Sequence, residues 1–115
     1  MDNESCAAVD NLHDLRQALG ASDRVIALVY ATWCPFCRQA LPEFEKLVRK
    51  EKRRLLLAAD DEELAADAYN IDIFPTLILF EKGRIVKRLD GSPGVGLSKK
   101  QIGDFIKSCP PAEPG

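Results

Sequence analysis

The chain has 115 residues, 46% of them hydrophobic, which is enough for one domain with a core that needs no metal or disulfide staple. Its 16 basic and 18 acidic side chains leave a net charge of −2, with no basic stripe to hold a nucleic acid or an anionic membrane. No apolar run approaches the roughly 20 residues of a membrane span. Residues 1–115 are read as a single domain, with flexible ends at 1–4 and 110–115. The opening Met1-Asp2-Asn3-Glu4 lacks the basic and apolar stretches of a secretion signal, which points to the cytoplasm.

In chain order, residues 5–9 read as a short edge strand. Asp10 is the expected cap of a first helix, in which Leu12, Leu15 and Leu19 recur at helical spacing and Gly20 can close the end. His13 falls between those positions and should face solvent. Residues 25–30 are apolar without alternation, the pattern of a strand covered on both faces. A second helix is expected over 35–50, with Pro42 inside it and a kink near Leu41. The basic cluster at 49–54 reads as a solvated helix end.

Residues 55–59 form a second buried strand ending at Asp60-Asp61. A short helix is expected over 62–69, closed by a left-handed Asn70. An extended segment then leads through Phe74 to Pro75. Residues 76–80 and 85–89 are a hairpin with its turn at Glu81-Lys82-Gly83-Arg84, and 91–96 are a loop. Ser98 should cap a last helix with Ile102, Phe105, Ile106 and Cys109 on one face, stopped by Pro110-Pro111. Strands separated by helices imply parallel crossovers, and the hairpin adds an antiparallel pair. The fold class is therefore α/β, a mixed central sheet of four to five strands flanked by four helices.

Ala31-Thr32-Trp33-Cys34-Pro35-Phe36-Cys37 places a Cys-x-x-Cys between the central strand and the second helix. A helix start carries unpaired N–H groups and partial positive charge, both of which favour a thiolate. Cys109 is read as a packed thiol, with a Cys6–Cys109 bridge, an intermolecular bridge or a regulatory oxidation left open. The four cysteines do not form two close pairs, which speaks against zinc.

These features together resemble the thioredoxin family over about residues 5–109. Ala31-Thr32-Trp33-Cys34 and Cys37 match its active-site signature, Pro42 its helix proline, Phe74-Pro75-Thr76 its Pro-Thr segment, and Lys82-Gly83 its hairpin turn. The resemblance implies a thiol–disulfide oxidoreductase without a cofactor, in which Cys34 attacks a substrate disulfide and Cys37 resolves the mixed disulfide. It implies a cis bond before Pro75. It also implies a docking surface of Trp33, Pro35, Phe36, Phe74, Pro75, Thr76 and Gly91, on which an extended substrate pairs like an added strand. The implied partners are disulfide-containing proteins and a thioredoxin-reductase-like electron donor, with the chain a monomer. The competing readings are a binding module without turnover and, in an oxidising compartment, an oxidase or isomerase.

Three positions depart from the family. Pro35-Phe36 stands where thioredoxins carry Gly-Pro and is closer to the Pro-Tyr of glutaredoxins, whose glutathione-binding segments are missing; it points to a less reducing protein. Leu28 and Leu56 stand where the family has a buried aspartate and a nearby lysine, which implies slower resolution or a water-borne proton path. The loop at 91–96 has an extra Pro-Gly, either a tolerated surface insertion or an element of partner choice.

Overall fold

The computed structural model describes residues 6–48 and 55–109, and the side chains of all of these except Cys6, Ala7, Leu47 and Val48. The basic cluster at 49–54, the Pro110-Pro111 stop and both chain ends fall outside them. So does the side chain of Cys6, and with it any pairing of Cys6 with Cys109. The elements are β1 (Cys6–Val9), α1 (Leu12–Gly20), β2 (Arg24–Tyr30), α2 (Pro35–Val48), β3 (Leu55–Ala59), α3 (Leu64–Tyr69), β4 (Thr76–Glu81), β5 (Arg84–Asp90) and α4 (Lys99–Ser108).

The strands form one sheet in the order β1-β3-β2-β4-β5. β1, β3 and β2 run parallel, and β4 and β5 join antiparallel. β2 lies between two neighbours, and its five middle residues are all buried, as its unbroken apolar run predicts.

Alternate residues of a strand face opposite sides, and this sorts the core into two layers. Val25, Ala27 and Val29 pack with Leu15 and Leu19 of α1 and Ala65 and Ala66 of α3. Ile26 and Leu28 pack with Ala40 and Phe44 of α2 and Ile102, Phe105 and Ile106 of α4. Phe44 is fully buried, and truncating such a side chain to alanine costs about 3–5 kcal/mol. Cys109 belongs to the second layer, where its thiol donates to the Phe105 carbonyl at 3.2 Å, in keeping with a packed thiol.

The ends of the elements correct several expectations. α1 is capped by Asn11, not Asp10: the Asn11 side chain accepts the Asp14 N–H at 2.8 Å. An N-cap oxygen must reach an N–H two or three residues on, and Asp10 stands one residue too early. α1 does end at Gly20, as expected, but its C-cap, Ala21, is in an ordinary right-handed conformation and not the left-handed one. α3 starts at Leu64 rather than 62, because Glu63 is left-handed (φ 64°) and breaks the helical run. Its cap is the buried Asp60 carboxylate, which accepts from Ala65 N–H at 2.9 Å and Ala66 N–H at 2.7 Å.

Other ends agree with the sequence. Asn70 is left-handed at the end of α3. Ser98 and Gln101 make a reciprocal capping box at the start of α4. Lys82 (φ 54°) and Gly83 (φ 81°) form the two-residue turn of the β4–β5 hairpin, where two positive φ angles match the strand twist.

The register also moves one assignment. Leu28 pairs with Leu57, while Leu56 pairs with Ala27. Leu56 therefore points into the α1–α3 layer, and Leu28 into the α2–α4 layer. The neighbour of Leu28 is Leu57 and not Leu56. Both are apolar, so the site still holds no charged pair.

Candidate active site

β2, the central strand, ends at Tyr30, and α2 begins at Pro35. Proline is suited to that position, since its missing N–H would lack a helical partner anyway. Between them a tight turn is closed by Cys34 N–H donating to the Ala31 carbonyl at 3.2 Å. The Cys34 carbonyl then accepts from Cys37 N–H at 3.1 Å and Arg38 N–H at 3.3 Å, which sets Cys34 just before α2 and Cys37 on its first turn.

The two thiols have different surroundings. Cys34 is 6% exposed and Cys37 is fully buried. The Cys34 thiol points at the Phe74 carbonyl, 3.7 Å away, just before Pro75. Burial pushes the Cys37 thiol up to about 12, against a backbone hydrogen bond from Ala31 that lowers it; the neighbouring Cys34 raises it further. At neutral pH Cys37 is a thiol.

The residues expected to form a docking surface divide into an outer and an inner set. Trp33 is 54% exposed, and its ring meets the half-buried Phe74 ring edge-on, with centroids 5.8 Å apart. Pro35 is exposed and Phe36 half-buried. Pro75, Thr76 and Gly91 are buried. The Phe74–Pro75 bond is cis. The Thr76 hydroxyl donates to the Ile73 carbonyl at 2.7 Å, and Gly91 N–H donates to the Pro75 carbonyl at 2.9 Å. These three brace the Phe74 segment from behind, while Trp33, Pro35, Phe36 and Phe74 reach the surface.

Asp61 belongs to this site, although the sequence marks it only as the end of a strand. Its carboxylate accepts the Thr32 N–H at 2.7 Å and the Thr32 hydroxyl at 2.5 Å, and its carbonyl accepts the Trp33 indole N–H at 3.3 Å. These hydrogen bonds from Thr32 hold the carboxyl below its ordinary value. The signal lies in the parallel pairing of β2 with β3, which sets Tyr30 beside Ala59 and so brings 61 to 32. Gly96 is a second contact that sequence reasoning misses: it lies against Phe36.

Two cysteines in Cys-x-x-Cys spacing at the start of a helix that follows the central strand of this sheet make a thiol–disulfide oxidoreductase site. The chain belongs to the thioredoxin family, whose profile matches residues 8–108. Members of that family need no cofactor, since the cysteine pair itself carries the redox change. Thioredoxin of Mycolicibacterium smegmatis is 28% identical over 110 residues, covering 91% of this chain and 97% of the relative. Bovine protein disulfide-isomerase A5 is 27% identical over 112 residues, and the chain spans 21% of that relative's length. The structure of a mutant thioredoxin from Halobacterium salinarum superposes with a TM-score of 0.75 at 26% identity, covering 94% of each chain. Among the described residues no helix is long and apolar enough to cross a membrane, and no group of three or more His, Cys, Asp or Glu side chains could hold a metal ion.

Proposed function

We propose that the protein reduces disulfides in other proteins. The observation that carries this reading is the pair of thiols at the start of α2: Cys34, 6% exposed and facing the Phe74 carbonyl, and Cys37, fully buried beside it. The Cys34 thiolate attacks one sulfur of the substrate disulfide, forming a Cys34–substrate disulfide and expelling the other substrate sulfur as a thiolate. Cys37, on giving up its proton, attacks the Cys34 sulfur. That closes the Cys34–Cys37 disulfide and releases the second substrate thiolate. Two electrons have passed to the substrate, and a reductase-like donor must return them.

Trp33, Pro35, Phe36 and Phe74 supply the apolar contact for the substrate, with Pro75, Thr76 and Gly91 holding Phe74 in place. A monomer in a reducing compartment such as the cytoplasm suits this direction of electron flow. The protein disulfide-isomerase relative favours a second reading, oxidation or isomerisation in an exported setting.

Insulin reduction with dithiothreitol as donor tests the proposal. The parent protein should accelerate precipitation of the insulin B chain, and Cys34→Ser should abolish the acceleration. A parent protein without activity would sink the reading in favour of a binding module.

A further inference from the structure

Gly96 leaves no room for a side chain. Its backbone is left-handed (φ 81°), and a Cβ placed on it would stand 2.7 Å from the Cβ of Phe36 and 3.3 Å from its Cγ. Carbon atoms in contact settle near 3.5–4.0 Å, so the Gly96 backbone lies directly on the Phe36 side chain. The loop around it is closed: Ser92 N–H donates to the Gly96 carbonyl at 3.0 Å, and Gly96 N–H returns to the Ser92 carbonyl at 2.8 Å. Gly91 touches the other side, where a Cβ would meet the Pro75 carbonyl oxygen at 2.8 Å and the Gly96 Cα at 3.5 Å. Pro75, Gly91, Gly96 and Phe36 thus form one packed column joining the two segments of the site. Phe36 in turn packs against the cluster of Ala31, Cys34 and Cys37.

We propose that Gly96 is a positioning residue for the dithiol: its bare backbone seats the Phe36 side chain against the thiol cluster, and that seat keeps water and reagents from Cys37. This rests on the oxidoreductase reading, in which Cys37 must reach Cys34 and nothing else before the substrate leaves. The seat itself is a matter of packing, and it can be measured without turnover. A second glycine separates contact from backbone strain. Gly94 is in the same loop and also left-handed (φ 73°), but a Cβ there meets nothing within 4 Å.

The experiment follows alkylation of Cys37 by iodoacetamide in reduced Cys34→Ser protein, read peptide by peptide in a mass spectrometer. Adding Gly96→Ala should speed Cys37 alkylation roughly tenfold through local opening, and adding Gly94→Ala should change it by less than about twofold. Phe36→Gly should speed it as Gly96→Ala does, and the two together should do no more than Phe36→Gly alone. Parent-like alkylation in Gly96→Ala, or equal acceleration by Gly94→Ala, would overturn the proposal. Should Gly96→Ala fail to fold, Phe36→Gly decides alone, and an unchanged rate there overturns it. Insulin reduction by the parent protein is scored separately. Its absence removes the oxidoreductase reading and leaves the seat standing, whereas an unaltered rate in these variants beside normal turnover removes only the seat.

Discussion

Thr32 and Asp61, 29 positions apart, are joined twice: the Asp61 carboxylate takes both the backbone N–H and the hydroxyl of Thr32. With the Trp33 indole bonded to the Asp61 carbonyl, the turn that carries Cys34 is tied to the β3–α3 connection at three points. Misplacing a reacting group by a fraction of an ångström is costly in rate, so Asp61→Ala should slow disulfide reduction by about 3- to 10-fold. Asp61→Asn keeps an oxygen for the Thr32 N–H and should retain most of the activity. Insulin reduction by the two variants checks this, and equal rates for Asp61→Ala and the parent would contradict it.

The same contact predicts an acid transition. The Thr32 hydrogen bonds lower the Asp61 carboxyl from its ordinary 3.8. A lowered carboxyl contributes stability above its unfolded value and loses it as the pH falls through the folded one. The contact should therefore hold through pH 4 and fail only below about 3.8. Trp33 is the sole tryptophan, so its emission reports the event. The step should vanish in Asp61→Asn.

Cys37 predicts the opposite behaviour in alkali. Its thiol is raised from 9.0 to about 12, chiefly by burial. Between those values the unfolded chain has lost the proton and the folded one has not, so raising the pH draws the balance toward unfolding. Thermal midpoints of the reduced protein should fall as the pH rises from 9 toward 12, and Cys37→Ala should flatten that fall. A slope unchanged by the substitution would show that burial does not hold the thiol protonated.

Leu28 is fully buried and faces Leu57 across the β2–β3 pair. An aspartate there has no partner, and Leu28→Asp should destabilise the fold by about 3–5 kcal/mol. Adding Leu57→Lys should recover part of the loss, whereas Leu56→Lys, on the other face of the sheet, should recover none. Denaturant unfolding of the three variants checks the register directly. Where Leu28→Asp folds, its carboxylate should also speed resolution of the mixed disulfide by taking the Cys37 proton; an unchanged rate would exclude that role.

The Pro35-Phe36 pair sets the expected potential. Phe36 packs on the thiol cluster and offers it neither charge nor a hydrogen bond. Packing that favours the dithiol makes a protein less reducing, so the Cys34–Cys37 couple should lie above the roughly −270 mV of an ordinary thioredoxin. Equilibration with glutathione buffers measures it, and a value at or below that figure would refute the expectation.

The parts of this protein that follow from local rules are legible in its sequence. The unbroken apolar run of β2, the Lys82-Gly83 turn, the Ser98 cap and the placement of Cys34 and Cys37 at a helix start each depend on a few adjacent residues. What is not legible depends on pairs far apart in the chain. Asp60 caps α3 from outside the helix, and Glu63 turns left-handed between them, which no helical periodicity records. Asp61 reaches Thr32 only because β2 and β3 run side by side. Counting back from Asp60 lands on Leu56, and a one-residue error in a strand turns a side chain to the opposite face. Thr76 and Gly91, which the resemblance implies for the docking surface, are buried and bond to the carbonyls of Ile73 and Pro75, on either side of Phe74.

The carbonyl that faces the Cys34 thiol belongs to a residue 40 positions further along the chain. Both strands that flank β2 also come after it. During synthesis the reactive pair is therefore made well before the segments that enclose it. At about 5–20 residues per second a ribosome needs roughly 2–8 seconds to supply those positions. The Phe74 carbonyl can come to Cys34 only after those positions have been made, so the enclosure of the reactive pair waits on the later half of the chain.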